Sequence, residues 1–215
     1  MKIIAISDTH NHNIEAILRN KSADVLVIAG DITGSGSYGE LAKFEMQLQG
    51  VRDQFEEILW IGGNHDFGLC DYPGLALEIA DRTKTKYIQR TLATVKGINF
   101  WGEASVPGLP NMAFPYKSDY LFNTAPEGID VLVTHGPPKG ILDKAPKYGN
   151  EENTVSYGCR ILRHAIFTQI KPKVHIFGHI HHSHGFRSKG GIRFYNVSIC
   201  DEQYRATNEA MEIKI

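Results

Sequence analysis

Short apolar runs of four to six residues punctuate this chain. Ile3 to Ile6, Val25 to Ala29, Ile58 to Ile61, Ile98 to Trp101, Ile129 to Val133, Val174 to Phe177 and Ile192 to Val197 are rich in β-branched side chains, and Gly, Pro, Asn or Asp bounds each. Runs this short, closed by turn formers, predict buried strands rather than helices. Two stretches carry a helical period instead. Leu41, Phe44, Met46, Leu48 and Val51 mark one helix, with Gly50 weakening its end. Ile161, Leu162, Ala165, Ile166 and Ile170 mark a second, with Arg160, Arg163 and His164 outside its stripe. Pro172 stops it before the next strand.

Strands alternating with helices predict an α/β fold with helices outside a sheet. Seven runs are too many for a short open sheet, so a two-sheet sandwich flanked by helices is expected. Ala210 to Ile215 alternates apolar and charged and reads as a half-exposed strand. The stretch 106–127, rich in Pro, Asn and aromatics, is the one long irregular insertion, of a kind that is usually functional or mobile. No repeat, low-complexity tract or linker divides the chain, so residues 1–215 are expected to form one domain.

Composition narrows the classes. The chain has 215 residues, 42% of them hydrophobic and 22% charged, which suits a globular protein. A net charge of -1 supplies no basic field for extended nucleic acid or for anionic lipid, so affinity for phosphate must come from a local site. Cys70, Cys159 and Cys200 are scattered and odd in number, as a reducing compartment permits. The apolar start Lys2 to Ile6 is too short for a signal segment, and no run approaches the ~18–20 residues of a membrane span. A cytoplasmic location is expected; the oligomeric state is not legible.

The polar segments just past the apolar runs carry the chemistry. Ser7-Asp8-Thr9-His10 succeeds the first run, Gly30-Asp31 the second, and Gly62-Gly63-Asn64-His65-Asp66 the third. Thr134-His135-Gly136 succeeds the run ending at Val133, and Gly178-His179-Ile180-His181-His182 the run ending at Phe177. Functional groups of α/β sheets collect beyond the carboxyl ends of strands, so these five loops can converge. Two carboxylates, one amide and four imidazoles make a nitrogen and oxygen set without sulfur. Such a set fits manganese, iron or zinc better than calcium or a structural zinc. In Asp8-Thr9-His10 and His179-Ile180-His181 the ligand pairs are spaced to share one side of an extended chain.

Charge then points to a substrate. Two divalent cations less the charges of Asp8 and Asp31 leave an excess of roughly +2, which favours an anion. Phosphate esters repel nucleophiles, and two cations ~3.5–4 Å apart bind phosphoryl oxygens while acidifying water from near 16 toward about 7.

The set Asp8-x-His10, Gly30-Asp31, Gly63-Asn64-His65-Asp66, His135 and Gly178-His179-x-His181 resembles the calcineurin-like metallophosphoesterases, with every block present in order. The resemblance implies a four-layer α-β-β-α sandwich of two mixed sheets. It implies a first metal on Asp8, His10 and His181, a second on Asn64, His135 and His179, and Asp31 bridging them. It further implies a metal-bridging hydroxide as nucleophile and His65 as the proton donor to the leaving oxygen. Manganese is the expected metal, with iron, zinc, cobalt or magnesium as alternatives.

The stretch Pro126 to Pro138, Gly158-Cys159 with Leu162, and Pro172 through His181 are similar to brain metallophosphoesterase-domain proteins and class III cyclic nucleotide phosphodiesterases. That likeness implies a phosphodiesterase acting on a small (cyclic) nucleotide or similar phosphodiester. Some of those relatives carry glycine where this chain has His179; no role passes to His182, which stands where they often have glutamate. An acid after Gly-Asp orients the histidine in other branches, but Gly34 and its neighbours offer none, leaving Asp66 as the candidate to orient His65.

Any one of these motifs alone would be an ordinary turn or strand end; their order together carries the reading. A nuclease, a phosphomonoesterase or protein phosphatase on the same core, and a degenerate metal-binding scaffold for protein partners are the alternatives. Elsewhere the bland reading holds. Trp60 and Trp101 read as core, His175 and His164 as structural, and His12 and His184 as rim or solvent groups. Phe114, Tyr116 and Tyr120 can either stack on a nucleobase or cover the core, and Asn196 and Ser198, closing a strand near the last motif, can support the metal ligands from behind.

Overall fold

The computed structural model describes residues 1–115, 125–147 and 150–215, with the side chains of 150–152 left out. Strand β1 (Lys2–Ile6) shows how one sequence builds two layers. Ile3 and Ala5 face one side, against Val25, Val27, Val131, Val174 and Ile176. Ile4 and Ile6 face the other, against helix α2 (Tyr38–Val51) through Leu41, Phe44 and Leu48. Side chains alternate faces along a strand, so a continuously apolar strand must be covered twice.

Strands β2 (Ala23–Ala29) and β3 (Phe55–Ile61) lie parallel to β1. Strand β4 (Lys86–Tyr87) is added parallel, and β13 (Met211–Lys214) closes the other edge antiparallel, in the order β13-β1-β2-β3-β4. The second sheet is built from β5 (Leu92–Val95), β6 (Ile98–Glu103), β7 (Val131–Thr134), β10 (Val174–Phe177), β11 (Gly185–Lys189) and β12 (Ile192–Asn196), in the order β11-β12-β10-β7-β6-β5. Its central strands β6, β7, β10 and β12 run parallel. Strands β8 (Lys144–Lys147) and β9 (Asn150–Ser156) form a separate antiparallel hairpin.

Three apolar layers result. One lies between the sheets, one under α2 and helix α4 (Pro73–Thr83), and one where Leu162, Ala165 and Ile166 cover Trp101, Leu132 and Phe194. This is the expected α-β-β-α sandwich.

Local chemistry explains the helix limits. Ser37 caps α2 in a reciprocal capping box with Glu40, and α4 starts on Pro73 and ends on the left-handed Lys84. Gly50 does not break α2, which runs through it to Val51 because Leu48 and Val51 are buried. Met46, counted on its apolar stripe, is exposed; Gln47 takes the buried place. Helix α5 (Arg160–Ala165) continues as a π turn over Ile166–Ile170, and left-handed Lys171 closes it ahead of Pro172. Short helices α1 (Ile14–Ile17) and α3 (Phe67–Asp71) come directly after two of the expected site loops. No described helix is long and apolar enough to cross a membrane.

The two sheets are stitched at one end. Ser7, just past β1, pairs in parallel with Ser198, just past β12: its N–H donates to the Val197 carbonyl (3.0 Å) and its carbonyl accepts from Ile199 N–H (2.8 Å). That seam holds the carboxyl ends of both sheets together, where all five loops emerge.

Candidate metal centre

The seven expected ligand residues meet at that end. Asp8, His10 and His181 form one cluster of possible metal-binding atoms, and Asp31, His135 and His179 a second. His181 Nε2 is 3.4 Å from Asp8 Oδ1 and 3.4 Å from His10 Nε2. His135 Nε2 is 3.2 Å from Asp31 Oδ2 and 3.0 Å from Asn64 Oδ1. Asp31 Oδ2 also stands 3.8 Å from His10 Nε2, so this carboxylate lies between the clusters.

Hydrogen bonds behind the rings set their direction. His10 Nδ1 lies 3.2 Å from the Thr33 carbonyl, His135 Nδ1 2.9 Å from that of Ala29, and His181 Nδ1 2.9 Å from that of Asp201. A carbonyl only accepts, so each Nδ1 carries the proton and Nε2 is the nitrogen turned to the site. This is how metal-ligating histidines are normally held. The donor set is nitrogen and oxygen, converging and braced from behind, and it fits a pair of divalent cations.

The backbone bends to allow this. Asp8 (φ 53°), His10 (φ 38°), Asp31 (φ 49°) and His179 (φ 70°) all adopt left-handed conformations that cost L-residues energy and cluster at functional sites. Gly30 (φ 92°) permits the turn into Asp31, and a Cβ there would strike the Gly62 carbonyl and His135. At Gly178 a Cβ would collide with Ser7 Oγ and Asp8 Oδ2, so only glycine lets the His179 loop pass the first strand. His179 N–H in turn donates to Asp8 (3.0 Å).

Burial and charge work against each other here. Burial alone would raise the Asp8 pKa, yet its hydrogen bond to His181 and the charges of His135, His181 and His10 hold it well below the carboxylate range. Asp31 is likewise held down against burial, chiefly by His135. Burial opposes charging His135 and His181, but Asp31 and Asp8 respectively outweigh it and push each up to about 9. Burial pushes His179 down to about 4 and lowers His10.

His65 lies in the same cavity without joining either cluster. Its N–H donates to Asp31 Oδ1 (2.8 Å), and its ring stands edge-on to His10 at 4.9 Å. Its Nδ1 lies 3.0 Å from the Gly34 carbonyl, so a backbone oxygen orients the ring where an acid was sought. Asp66 does not do so. Its carboxylate accepts from Ile32 N–H (3.2 Å), Thr33 N–H (2.9 Å), Thr33 Oγ1 (2.6 Å) and Gly63 N–H (2.8 Å), locking the Asp31 loop to the Asn64 loop. Buried donors facing one another claim the acid before the partly exposed ring can.

Neighbouring residues brace or border these ligands. Ser198 Oγ donates to Asp8 Oδ2 (2.7 Å) in the first motif, and Asn196 Nδ2 to the Ile180 carbonyl (2.8 Å) in the last, so both brace ligand-bearing loops. Trp60, Trp101 and His175 are buried. Phe114 is packed against the core beneath Gly62, not turned to the site, and Ala113 N–H donates to the Asn64 carbonyl (3.0 Å). Tyr116 and Tyr120 lie outside the described residues. Five residues that the motifs did not flag also line the cavity, which measures about 260 Å³: Ala145, Pro146, Tyr157, Glu202 and Tyr204. No period or motif near them points to a site formed so far back along the chain.

The comparisons with known proteins agree with this geometry. The family described as calcineurin-like phosphoesterase matches residues 1–183. A UPF0046 protein of Caenorhabditis elegans is 32% identical over 223 aligned positions, covering 94% of this chain and 71% of that one. Human metallophosphoesterase domain-containing protein 1 is 28% identical over 239 positions, covering 100% of this chain and 71% of its own. In structure, phosphopantetheinyl hydrolase from Mycobacterium tuberculosis superposes with a TM-score of 0.62 at 17% identity, covering 94% of this chain and 90% of that one, which shows a shared fold. The family match and the 32%-identical relative show that the chain belongs to the calcineurin-like phosphoesterase family.

Proposed function

We propose that this phosphoesterase is a dinuclear phosphodiesterase acting on a small nucleotide diester, cyclic forms included, with manganese as its working metal. The observation that carries the reading is the Asp31 carboxylate lying between two clusters of imidazoles, with His10 and His135 each turned to the site by a backbone carbonyl. Asp8, His10 and His181 would hold one cation, and Asn64, His135 and His179 the other, with Asp31 shared. When bound, the pair would activate water and neutralise the phosphoryl oxygens.

The chain's own residues complete the chemistry. His65 Nδ1–H donates to the Gly34 carbonyl, which leaves Nε2 to deliver a second proton to the departing alkoxide. Asp31 Oδ1, accepting from His65 N–H, ties the position of the proton donor to that of the shared carboxylate.

Charge favours a diester over a monoester. No lysine or arginine lines the cavity among the described residues, while Glu202 does. A monoester dianion would meet that carboxylate with no lysine or arginine to offset its second charge; a diester brings one charge only. The three free cysteines suit a cytoplasmic setting, and the near-neutral chain suits a small substrate rather than extended nucleic acid.

Manganese-supplemented turnover of bis-p-nitrophenyl phosphate against p-nitrophenyl phosphate tests the reading. Faster turnover of the diester is expected. A preference for the monoester would make the protein a phosphomonoesterase or protein phosphatase, and metal binding without turnover of either would make it a scaffold.

A further inference from the structure

Tyr204 and Tyr157 reach the cavity from two separate loops on backbones that are pinned. Tyr204 sits in a loop closed on itself. Asp201 Oδ1 accepts from Gln203 and Arg205 N–H (both 2.9 Å), Asp201 Oδ2 binds the Arg205 guanidinium, and Tyr204 N–H donates to the Asp201 carbonyl (2.9 Å). The same Asp201 carbonyl holds His181, and His12 Nε2 lies 2.8 Å from the Tyr204 carbonyl. Tyr204 itself is left-handed (φ 59°), a conformation bulky residues avoid. Its ring stands 4.7 Å from that of His10, 5.4 Å from His181 and 6.2 Å from His65, yet the residue is 49% exposed.

Tyr157 comes just after strand β9. Its N–H donates to the Asp143 carbonyl (2.8 Å), while the buried Asp143 carboxylate accepts from Gly140 N–H, Gly158 N–H and Ser156 Oγ. The residue is 48% exposed, beside Ala145 and Pro146 on the cavity wall. Neither tyrosine hydroxyl is hydrogen-bonded among the described residues. Beside its imidazole, carboxylate and amide groups, the cavity therefore presents two partly exposed aromatic rings.

We propose that Tyr204 and Tyr157 form a base-binding wall, receiving the nucleobase of a nucleotide whose phosphate lies at the metal clusters. The proposal rests on the nucleotide-diester reading above and names the residues that choose the substrate. Stacking on aromatic rings tolerates any base, because every base offers a π-face. Selectivity for nucleotides as a class, rather than for one base, is the consequence.

Calorimetric binding to the manganese-loaded protein separates this from catalysis. AMP and ribose 5-phosphate share phosphate and sugar and differ in the base. AMP should bind roughly tenfold more tightly, the scale of base–aromatic stacking. Tyr204→Ala and Tyr157→Ala should each shrink that ratio several-fold, and Tyr204→Phe should keep it. Tyr157→Ala removes an exposed side chain, so it reads the wall even if Tyr204→Ala disturbs the fold. Equal affinity for the two ligands, no measurable AMP binding, or a ratio surviving both alanine variants overturns the proposal. If the ratio holds in a protein that turns over no diester, the diesterase reading fails and the wall stands. If diesters are cleaved alike with and without a base and the ratio is one, only the wall fails.

Discussion

Asp31 Oδ2 lies 3.2 Å from His135 Nε2, and the pairing is reciprocal: the carboxylate raises the imidazole's pKa while the imidazole lowers the carboxylate's. Asp31 also reaches toward His10, so one side chain serves both clusters. Replacing it with asparagine keeps the shape and removes the charge. Asp31→Asn is expected to lose both metals together and nearly all turnover. Elemental analysis of protein purified without chelator checks this, and full retention of either metal would contradict a shared carboxylate.

His65 stands apart from the ligand clusters, held by Gly34 rather than by an acid. His65→Ala should leave the metal content unchanged and slow hydrolysis by about 10²–10⁴ for esters with poor leaving groups, the range of a lost general acid. For a good leaving group such as p-nitrophenolate the loss should be much smaller, because little proton transfer is needed. An equal loss for both leaving groups would remove His65 from that role.

The histidine pKa values set a pH dependence with two arms. His135 and His181 rise from 6.5 to about 9 in the folded chain. Their contribution to stability is full below 6.5 and is lost as pH climbs through 9. His179, lowered to about 4, acts on the other side: its contribution is present above 6.5 and lost as pH falls through 4. Chelator-stripped protein should therefore be most stable near pH 6.5, by urea midpoint. Manganese affinity should rise from pH 6.5 to 9, because the cation displaces protons from the two raised imidazoles. Affinity independent of pH over that interval would refute the assignment of those two rings as ligands.

Asp66 joins the two loops that carry Asp31 and Asn64 through four donors, two on each oxygen. Burial and the Asp31 charge push its pKa up to about 6. An asparagine can accept on one side only, so Asp66→Asn turns its NH₂ against one pair of buried donors. A loss of about 1–3 kcal/mol is expected from the unsatisfied groups. Urea unfolding measures it, and an unchanged midpoint would show that the loops are held by something else.

Strand positions and the order of the ligands were legible in the chain alone. A buried strand must be apolar on both faces, and a polar, turn-forming tail must come after it, so Ile3 to His10 announces both element and ligand without outside help. The helix from Leu41 was legible for the same reason, although the side chain that turns inward near its end is Gln47 rather than Met46. The hairpin β8–β9, strand β11 and helix α4 were not, because their patterns are short, mixed or largely exposed.

Packing in three dimensions settled the remainder. Asp66 and His65 are neighbours in sequence, yet four buried donors draw the carboxylate away from the ring. Phe114 packs against the core, and among the described residues the tyrosines that line the site are Tyr157 and Tyr204 instead. Local patterns record what each segment needs from water and from its own backbone; which distant segments share a cavity depends on how two twisted sheets pack and where their ends are joined.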